Sequence, residues 1–322
     1  MTITRRNALG LGLAGLSATL GGDGATARMH RRLGVAFGTT VSVSVEARDP
    51  EPAFEAAFAE IRALDRIASL TRPDGEVFRL NRDGCLDAPS PALLKMLETA
   101  ALMFEATAGA FDVTIQPLWL AMDAAARRGR WLDDAERAQA CARVDQRALR
   151  FDARRVEFDR PGMAVTLNSL ARGLAADRVA AALRACGVER AVFDTDVLGA
   201  AGRKPDGREW LARIRHPRRA DDSVAVAPIS EYLATSGDYQ YVWSPDYVRH
   251  HIVDPRRGVS PQDFASITVR APTGLMADAL STAAFLVGAE AAPALLARFG
   301  ADGFSVGKDG KLWRTSGFAI AG

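Results

Sequence analysis

Cysteine is scarce in this 322-residue chain, and the three that occur, Cys85, Cys141 and Cys186, have no CxxC spacing. That excludes a thiolate zinc site and a disulfide framework, and predicts three buried free thiols. No GxGxxG follows a first strand, so a Rossmann dinucleotide site is not supported. Neither charge sign dominates: 41 Lys and Arg against 39 Asp and Glu leave a net charge of +2, no footprint for nucleic acid. No apolar run of bilayer-spanning length with suitable flanks stands out, so stable membrane insertion of the mature chain is not expected. Internal repeats and long linkers are also missing. What remains, 48% apolar and 25% charged residues, is the make-up of an ordinary globular protein.

Periodicity supplies the elements. Val41, Val43 and Val45 alternate within a strand predicted over 35–46, opened by Phe37-Gly38-Thr39-Thr40. Phe54, Phe58, Ile61, Leu64 and Ile67 recur at helical spacing and predict a helix over 51–68. A second helix is predicted over 91–107, with Ser90 as N-cap and Pro91 at N1. The Arg-rich segment 127–142 reads as a peripheral excursion. Residues 149–158 read as a hairpin, and 165–167 as a short strand leading through Asn168-Ser169 into a helix over 170–186 that Gly187 stops. Further strands are predicted at 191–193, 210–215, 232–239 and 266–269, a short strand and tight turn at 250–258, a helix at 291–299, and a closing hairpin at 304–313. Without steady βαβ alternation, this order predicts an α+β fold, mixed or antiparallel sheets packed with helices.

The N-terminus places Arg5-Arg6 before the weakly apolar run 10–20, with Ala25-Thr26-Ala27 as a small-x-small cleavage site. This order is similar to a twin-arginine signal peptide over 1–27, which predicts export of the folded protein to the periplasm. The leader holds Arg5, Arg6 and Asp23, so its removal takes the net charge from +2 to +1.

The chemistry concentrates in Thr273 to Phe285. Pro272 and Gly274 mark a turn, and a helix follows with Asp278 near its start and Ser281 and Thr282 three and four residues on. Hard oxygens beside a helix N-terminus suit Mg²⁺ next to a phosphate. The same pattern also suits an Asp favoured near a helix start, with two hydroxyls bonding back to the helix.

Six short motifs occur in order: Phe-Gly-Thr (37–39), Gly-Ala-Phe-Asp-Val-Thr (109–114), Leu-Asn-Ser-Leu-Ala-Arg-Gly (167–173), Ala-Thr-Ser-Gly-Asp-Tyr (234–239), His-Ile-Val-Asp-Pro (251–255) and Ala-Asp-Ala-Leu-Ser-Thr-Ala (277–283). The series resembles the ApbE family, the FAD:protein FMN transferases, over nearly the whole mature chain. Within that family the leader and the Leu-Asn-Ser variant are most similar to the NosX-type members associated with nitrous oxide reductase maturation. The resemblance implies one ApbE-like domain over 28–322, with room for two subdomains.

It also implies a Mg²⁺-dependent reaction: FAD is cleaved at its diphosphate, FMN is attached to a Thr or Ser of an acceptor flavoprotein (a NosR-like membrane protein for the NosX type), and AMP leaves. Carried over residue by residue, Asp278, Thr282, Ser281 and the backbone carbonyl of Ser169 would hold the metal. Ala110, Phe111, Asp112 and Ile252 would line the FAD site, with Phe37 and Thr39 from the first motif and Thr166 beside them. Arg172 would face the diphosphate, and His251 would take the proton of the acceptor hydroxyl; its neighbour His250 is expected to be exposed. The sequence departs from the family at several positions. Thr166 stands where many members have Asp, Thr71 where an aromatic packs, Gly75 for a common Ser, Leu174 for Tyr or Phe, and Asp194-Thr195-Asp196-Val197 for a glycine-rich run. The intact His251, Asp278 and Thr282 favour an active transferase. The altered positions favour a non-catalytic flavin-binding or scaffold protein of the same fold.

Overall fold

The computed structural model describes residues 28–321; the expected leader lies outside the described residues. In chain order the elements are β1 (Arg28–Ala36), β2 (Thr39–Ala47), α1 (Glu51–Ala68), α2 (Glu76–Asp83), β3 (Cys85–Asp87), α3 (Pro91–Ala106), α4 (Gln116–Arg127), α5 (Asp134–Cys141), β4 (Leu149–Phe151), β5 (Arg155–Phe158) and α6 (Ala171–Ala185). They continue with β6 (Ala191–Asp194), β7 (Val197–Ala201), β8 (Leu211–Arg215), β9 (Ser223–Pro228), β10 (Tyr232–Gly237), β11 (Phe264–Ala271), α7 (Gly274–Arg298), β12 (Asp302–Gly307) and β13 (Leu312–Arg314).

Eight strands form one sheet in the order β1-β2-β6-β7-β10-β11-β12-β13, with every neighbouring pair antiparallel. This is the α+β class read from the sequence. One face carries the helices. The stripe Phe54, Phe58, Ile61 and Leu64 of α1 faces inward and shares a core with Val41, Val43 and Val45 of β2 and with α3, α6 and α7. The other face is covered by the β8–β9 hairpin and the C-terminal segment, where Trp210, Ile214 and Phe318 pack on Val192, Leu233 and Phe304. The predicted 149–158 hairpin is β4–β5, joined by β3 into a small separate sheet.

α7 is apolar on nearly every side because it is the central helix of this core. It is long and apolar enough to cross a membrane by length and composition, which the sequence reading had not expected, yet 61% of its most apolar window is buried inside the protein. The two helices expected over 274 onward and 291–299 are joined here, with a kink at Gly288. Its φ of +82° falls where glycine is favoured, and the Asp263 carboxylate accepts from the next N–H, Ala289, at 2.8 Å.

Other local expectations are corrected. The strand over 35–46 is split into β1 and β2 by a two-residue turn, Phe37-Gly38, with φ of +52° and +74°. Residues 165–167 are not a strand: Asn81 pins Val165 in an irregular segment through both its amide and its carbonyl, at 2.7 and 2.8 Å. The 250–258 stretch holds isolated bridges rather than a strand, Val242 with His250 and Asp254 with Val259. Cys85 and Cys141 are only partly buried and Cys186 is exposed.

Candidate active site

The site forms where the first turn of α6 crosses the first turns of α7. The two helices meet at glycine on both sides. A Cβ on Gly173 would lie 2.2 Å from the Gly274 carbonyl oxygen, and a Cβ on Gly274 would lie 2.5 Å from that of Gly173. This closeness has a chemical consequence. The Gly173 N–H, which would ordinarily close onto the Ser169 carbonyl, donates instead to Oδ2 of Asp278 at 2.9 Å. Asp278 is thereby fixed, and the Ser169 carbonyl takes no backbone N–H among the described residues.

Burial pushes the Asp278 carboxyl up to about 6, against the opposing pull of Arg172. Thr282 lies one turn further on, its hydroxyl 3.1 Å from that of Ser236 on β10. Asp278, Thr282 and Ser169 all line one cleft of about 320 Å³. One carboxylate, one hydroxyl and one backbone carbonyl make a hard, all-oxygen donor set. It fits Mg²⁺, which binds few protein groups and keeps ligand phosphates and waters. No group of three or more His, Cys, Asp or Glu that could hold a softer metal occurs among the described residues.

Ser281 departs from the sequence reading. It does not line the cleft: its hydroxyl donates to the Asp278 carbonyl at 2.9 Å and lies 2.9 Å from Ser236 Oγ. It buttresses the two residues beside it. The expectation of a phosphate at the N-terminus of α7 is also corrected. That terminus is occupied by the chain itself, since Asp177 accepts from Gly274 and Leu275 N–H at 2.7 and 3.0 Å and Thr273 Oγ accepts from Met276 N–H.

Arg172 faces the cleft from α6. Its guanidinium pairs with Asp196 at 3.2 Å, and its Nε is buried without a partner among the described residues. Asp196 sits at the β6–β7 turn with φ +73°, its N–H held by Asp194 at 2.8 Å. Thr195 ties that turn to α6 by donating to the Arg172 carbonyl at 2.9 Å. The carboxylate that the sequence places near the ligand is therefore already neutralised by the arginine expected to serve the diphosphate.

His251 and Ile252 line the opposite wall. The His251 N–H donates to the Tyr241 carbonyl at 3.0 Å, and its ring Nδ1 is buried without a partner among the described residues. Burial, then His250, hold the His251 imidazole down to about 4, so it is neutral at physiological pH. His250 is fully buried rather than exposed. Its Nε2 lies 3.1 Å from the Pro261 carbonyl and its ring packs edge-on against Phe285 of α7.

Ala110, Phe111 and Asp112 line the floor, and Thr166 borders it. The Asp112 carboxylate turns back into the protein, accepting from Thr114 N–H and Oγ1 at 2.7 and 2.6 Å and from Gln146 N–H at 2.9 Å. Phe37 and Thr39 are not among the cleft residues: Phe37 packs on the core from the β1–β2 turn, and Thr39 begins β2. Trp119 and Tyr241, which the sequence reading gave no role, also line the cleft, with ring centroids 5.5 Å apart. Their signal was aromatic character alone: Trp119 lies on α4 and Tyr241 in the loop after β10.

Comparison with known proteins identifies the family and the fold. The ApbE family model matches residues 37–304. The FAD:protein FMN transferase of Treponema pallidum is 28% identical across 92% of this chain and 89% of its own length. That of Vibrio cholerae serotype O1 is 30% identical across 69% of each chain. The apo flavinyl transferase ApbE of Pseudomonas stutzeri superposes with a TM-score of 0.78 at 28% identity, covering 90% of this chain and 95% of that one. The match runs from the β1–β2 turn into β12 and takes in every cleft residue named above; the chain belongs to the ApbE family.

Proposed function

We propose that the chain is a Mg²⁺-dependent FAD:protein FMN transferase of the periplasm. It moves FMN from FAD to a Thr or Ser of a flavoprotein, with a NosR-like membrane protein as the acceptor that the leader and the NosX-type motifs favour. The observation that carries this reading is the α6–α7 crossing. One backbone N–H fixes Asp278, releases the Ser169 carbonyl, and sets both in the same cleft as Thr282, Arg172 and His251.

Phosphoryl transfer needs positioning and charge neutralisation more than covalent help from the protein. Asp278, Thr282 and the Ser169 carbonyl would hold Mg²⁺, which when bound neutralises the diphosphate oxygens. Arg172 adds a forked cation that can leave Asp196 for the diphosphate. Neutral His251 accepts the proton of the acceptor hydroxyl as that oxygen bonds to the phosphorus of the FMN half. The bond from that phosphorus to the bridging oxygen breaks, and AMP leaves with the oxygen.

The test uses mature protein, FAD, Mg²⁺ and an acceptor domain bearing its threonine. Covalent flavin fluorescence on the acceptor in a denaturing gel, together with AMP release, is the expected result, and both are abolished in Asp278→Ala and by EDTA. Undiminished transfer by Asp278→Ala would refute the metal assignment. A second reading, a flavin-binding maturation factor without catalysis, is favoured by one observation: the Arg172–Asp196 ion pair occupies the charge that the diphosphate needs. FAD binding with no transfer would select it.

A further inference from the structure

A second cavity, of about 440 Å³, opens beside the cleft, and no step above uses it. The two share a wall. His251, Ile252 and Val253 face the cleft, while residues 258–263 face the second cavity, and the Asp254–Val259 bridge closes the turn between them. Trp243 lines the second cavity and packs against Trp119 and Tyr241 of the first, with ring centroids at 5.7 and 6.2 Å.

The lining has a distinct chemistry. Arg249 and Arg257 have no carboxylate partner among the described residues, and the Arg249 guanidinium lies 4.2 Å over the Trp131 ring. Arg137 is the third cation and is paired with Asp134. The one acid in the lining, Asp263, is turned to the Ala289 N–H at the kink of α7. Around the mouth, Trp131, Val248 and Val259 are 36–44% exposed, large apolar side chains gathered at one rim. Exposed tryptophan and arginine beside apolar surface is the composition of protein-interface hot spots. Unpaired guanidinium groups select a carboxylate on the partner.

We propose that this cavity docks the acceptor polypeptide. It takes an apolar side chain between Trp131 and Trp243 and a carboxylate on Arg249 and Arg257, which delivers the neighbouring Thr or Ser hydroxyl across the shared wall to His251. The inference rests on the transferase reading. It assigns the acceptor a surface that is continuous with the reacting histidine and separate from the residues placed on FAD.

The test measures steady-state transfer at varied acceptor concentration, with FAD affinity measured separately from flavin fluorescence. The probe is the acceptor flavoprotein domain of the assay above. Arg249→Ala and Arg257→Glu each raise the KM for the acceptor about tenfold, while kcat and the Kd for FAD stay within about twofold. An acceptor whose carboxylate nearest the modified threonine is replaced by Lys regains affinity for Arg257→Glu. Both side chains are at the surface, and unchanged FAD affinity reports an intact fold. An unmoved acceptor KM overturns the docking site alone. A Kd for FAD that weakens in step overturns it in favour of an FAD subsite. No transfer by the wild type overturns the transferase reading and the docking site together.

Discussion

Gly173→Ala tests the crossing on which the site depends. Residue-by-residue helix propensity predicts that alanine in α6 stabilises by up to ~1 kcal/mol. The structure predicts the opposite sign. The new methyl carbon would stand 2.2 Å from the Gly274 oxygen and 2.7 Å from Asp278 Cβ, one a backbone atom and the other fixed in the core. Relief requires α6 and α7 to separate by about 1 Å, since ordinary contacts begin near 3.4 Å. Overpacking of this kind costs about 1–3 kcal/mol. Losing the Gly173–Asp278 hydrogen bond, which has a charged acceptor, adds about 1.5–3 kcal/mol. After the propensity gain, a net loss of roughly 1.5–5 kcal/mol remains, or a fall in Tm of about 3–10 °C at ~2 °C per kcal/mol for a chain of this size. Thermal unfolding of apo protein by circular dichroism reads this directly. Gly310→Ala is the internal control: that glycine has φ +82° but open space around it, so its penalty is backbone strain alone, about 1 kcal/mol. A Gly173→Ala protein as stable as wild type, with undiminished FAD binding, would refute both the close crossing and the placement of Asp278 by it.

Three further outcomes follow from the electrostatics. Burial raises the Asp194 carboxyl from 3.8 to about 6, so its protonated form stabilises the fold below pH 4 and that contribution is lost as pH rises through 6. Asp194→Asn, which keeps an acceptor for the Asp196 N–H, should match wild type in urea at pH 4 and exceed it at pH 7 by on the order of 2–3 kcal/mol; equal midpoints at both pH values would contradict the burial argument. Because His251 is held down to about 4, it is already the neutral base at pH 6, and at Mg²⁺ concentrations high enough to keep the Asp278 carboxyl, itself raised to about 6, ionised, kcat for transfer should stay level down to about pH 5. An acid limb near 6.5 would show a solvated imidazole. Asp196→Asn releases Arg172 and removes a negative charge facing the diphosphate, so FAD should bind about five- to tenfold tighter, the size of a partly exposed ion pair of ~1 kcal/mol. Weaker binding would make Asp196 a contributor to the cation site instead of a competitor at Arg172.

How much of this was legible in the sequence depends on the range of the interaction. α1, α3, α6 and the β4–β5 hairpin were readable because local signals suffice for them: an apolar stripe at helical spacing, Ser90 accepting from Leu93 N–H, Gly187 beyond the last turn of α6. The cluster of Asp278, Thr282 and Ser169 was readable only as a set of motifs in order, since Ser169 and Asp278 lie far apart in the chain. What the motifs could not assign is which way each polar group turns. Asp177, half-buried, and Asp278, buried, are both acids of the α6–α7 crossing, and the motifs placed only Asp278 near a helix start. The structure separates them by register: Asp177 lies one turn beyond Gly173 and reaches the open N–H groups of α7, closing that terminus to a phosphate. Asp278 lies one turn beyond Gly274 and reaches the Gly173 N–H, so among the described residues only one of its oxygens is used. The exchange is reciprocal, each helix lending a carboxylate to the start of the other. It works because both helices carry glycine where they touch, and of its two carboxylates only the one on α7 is left facing the cleft.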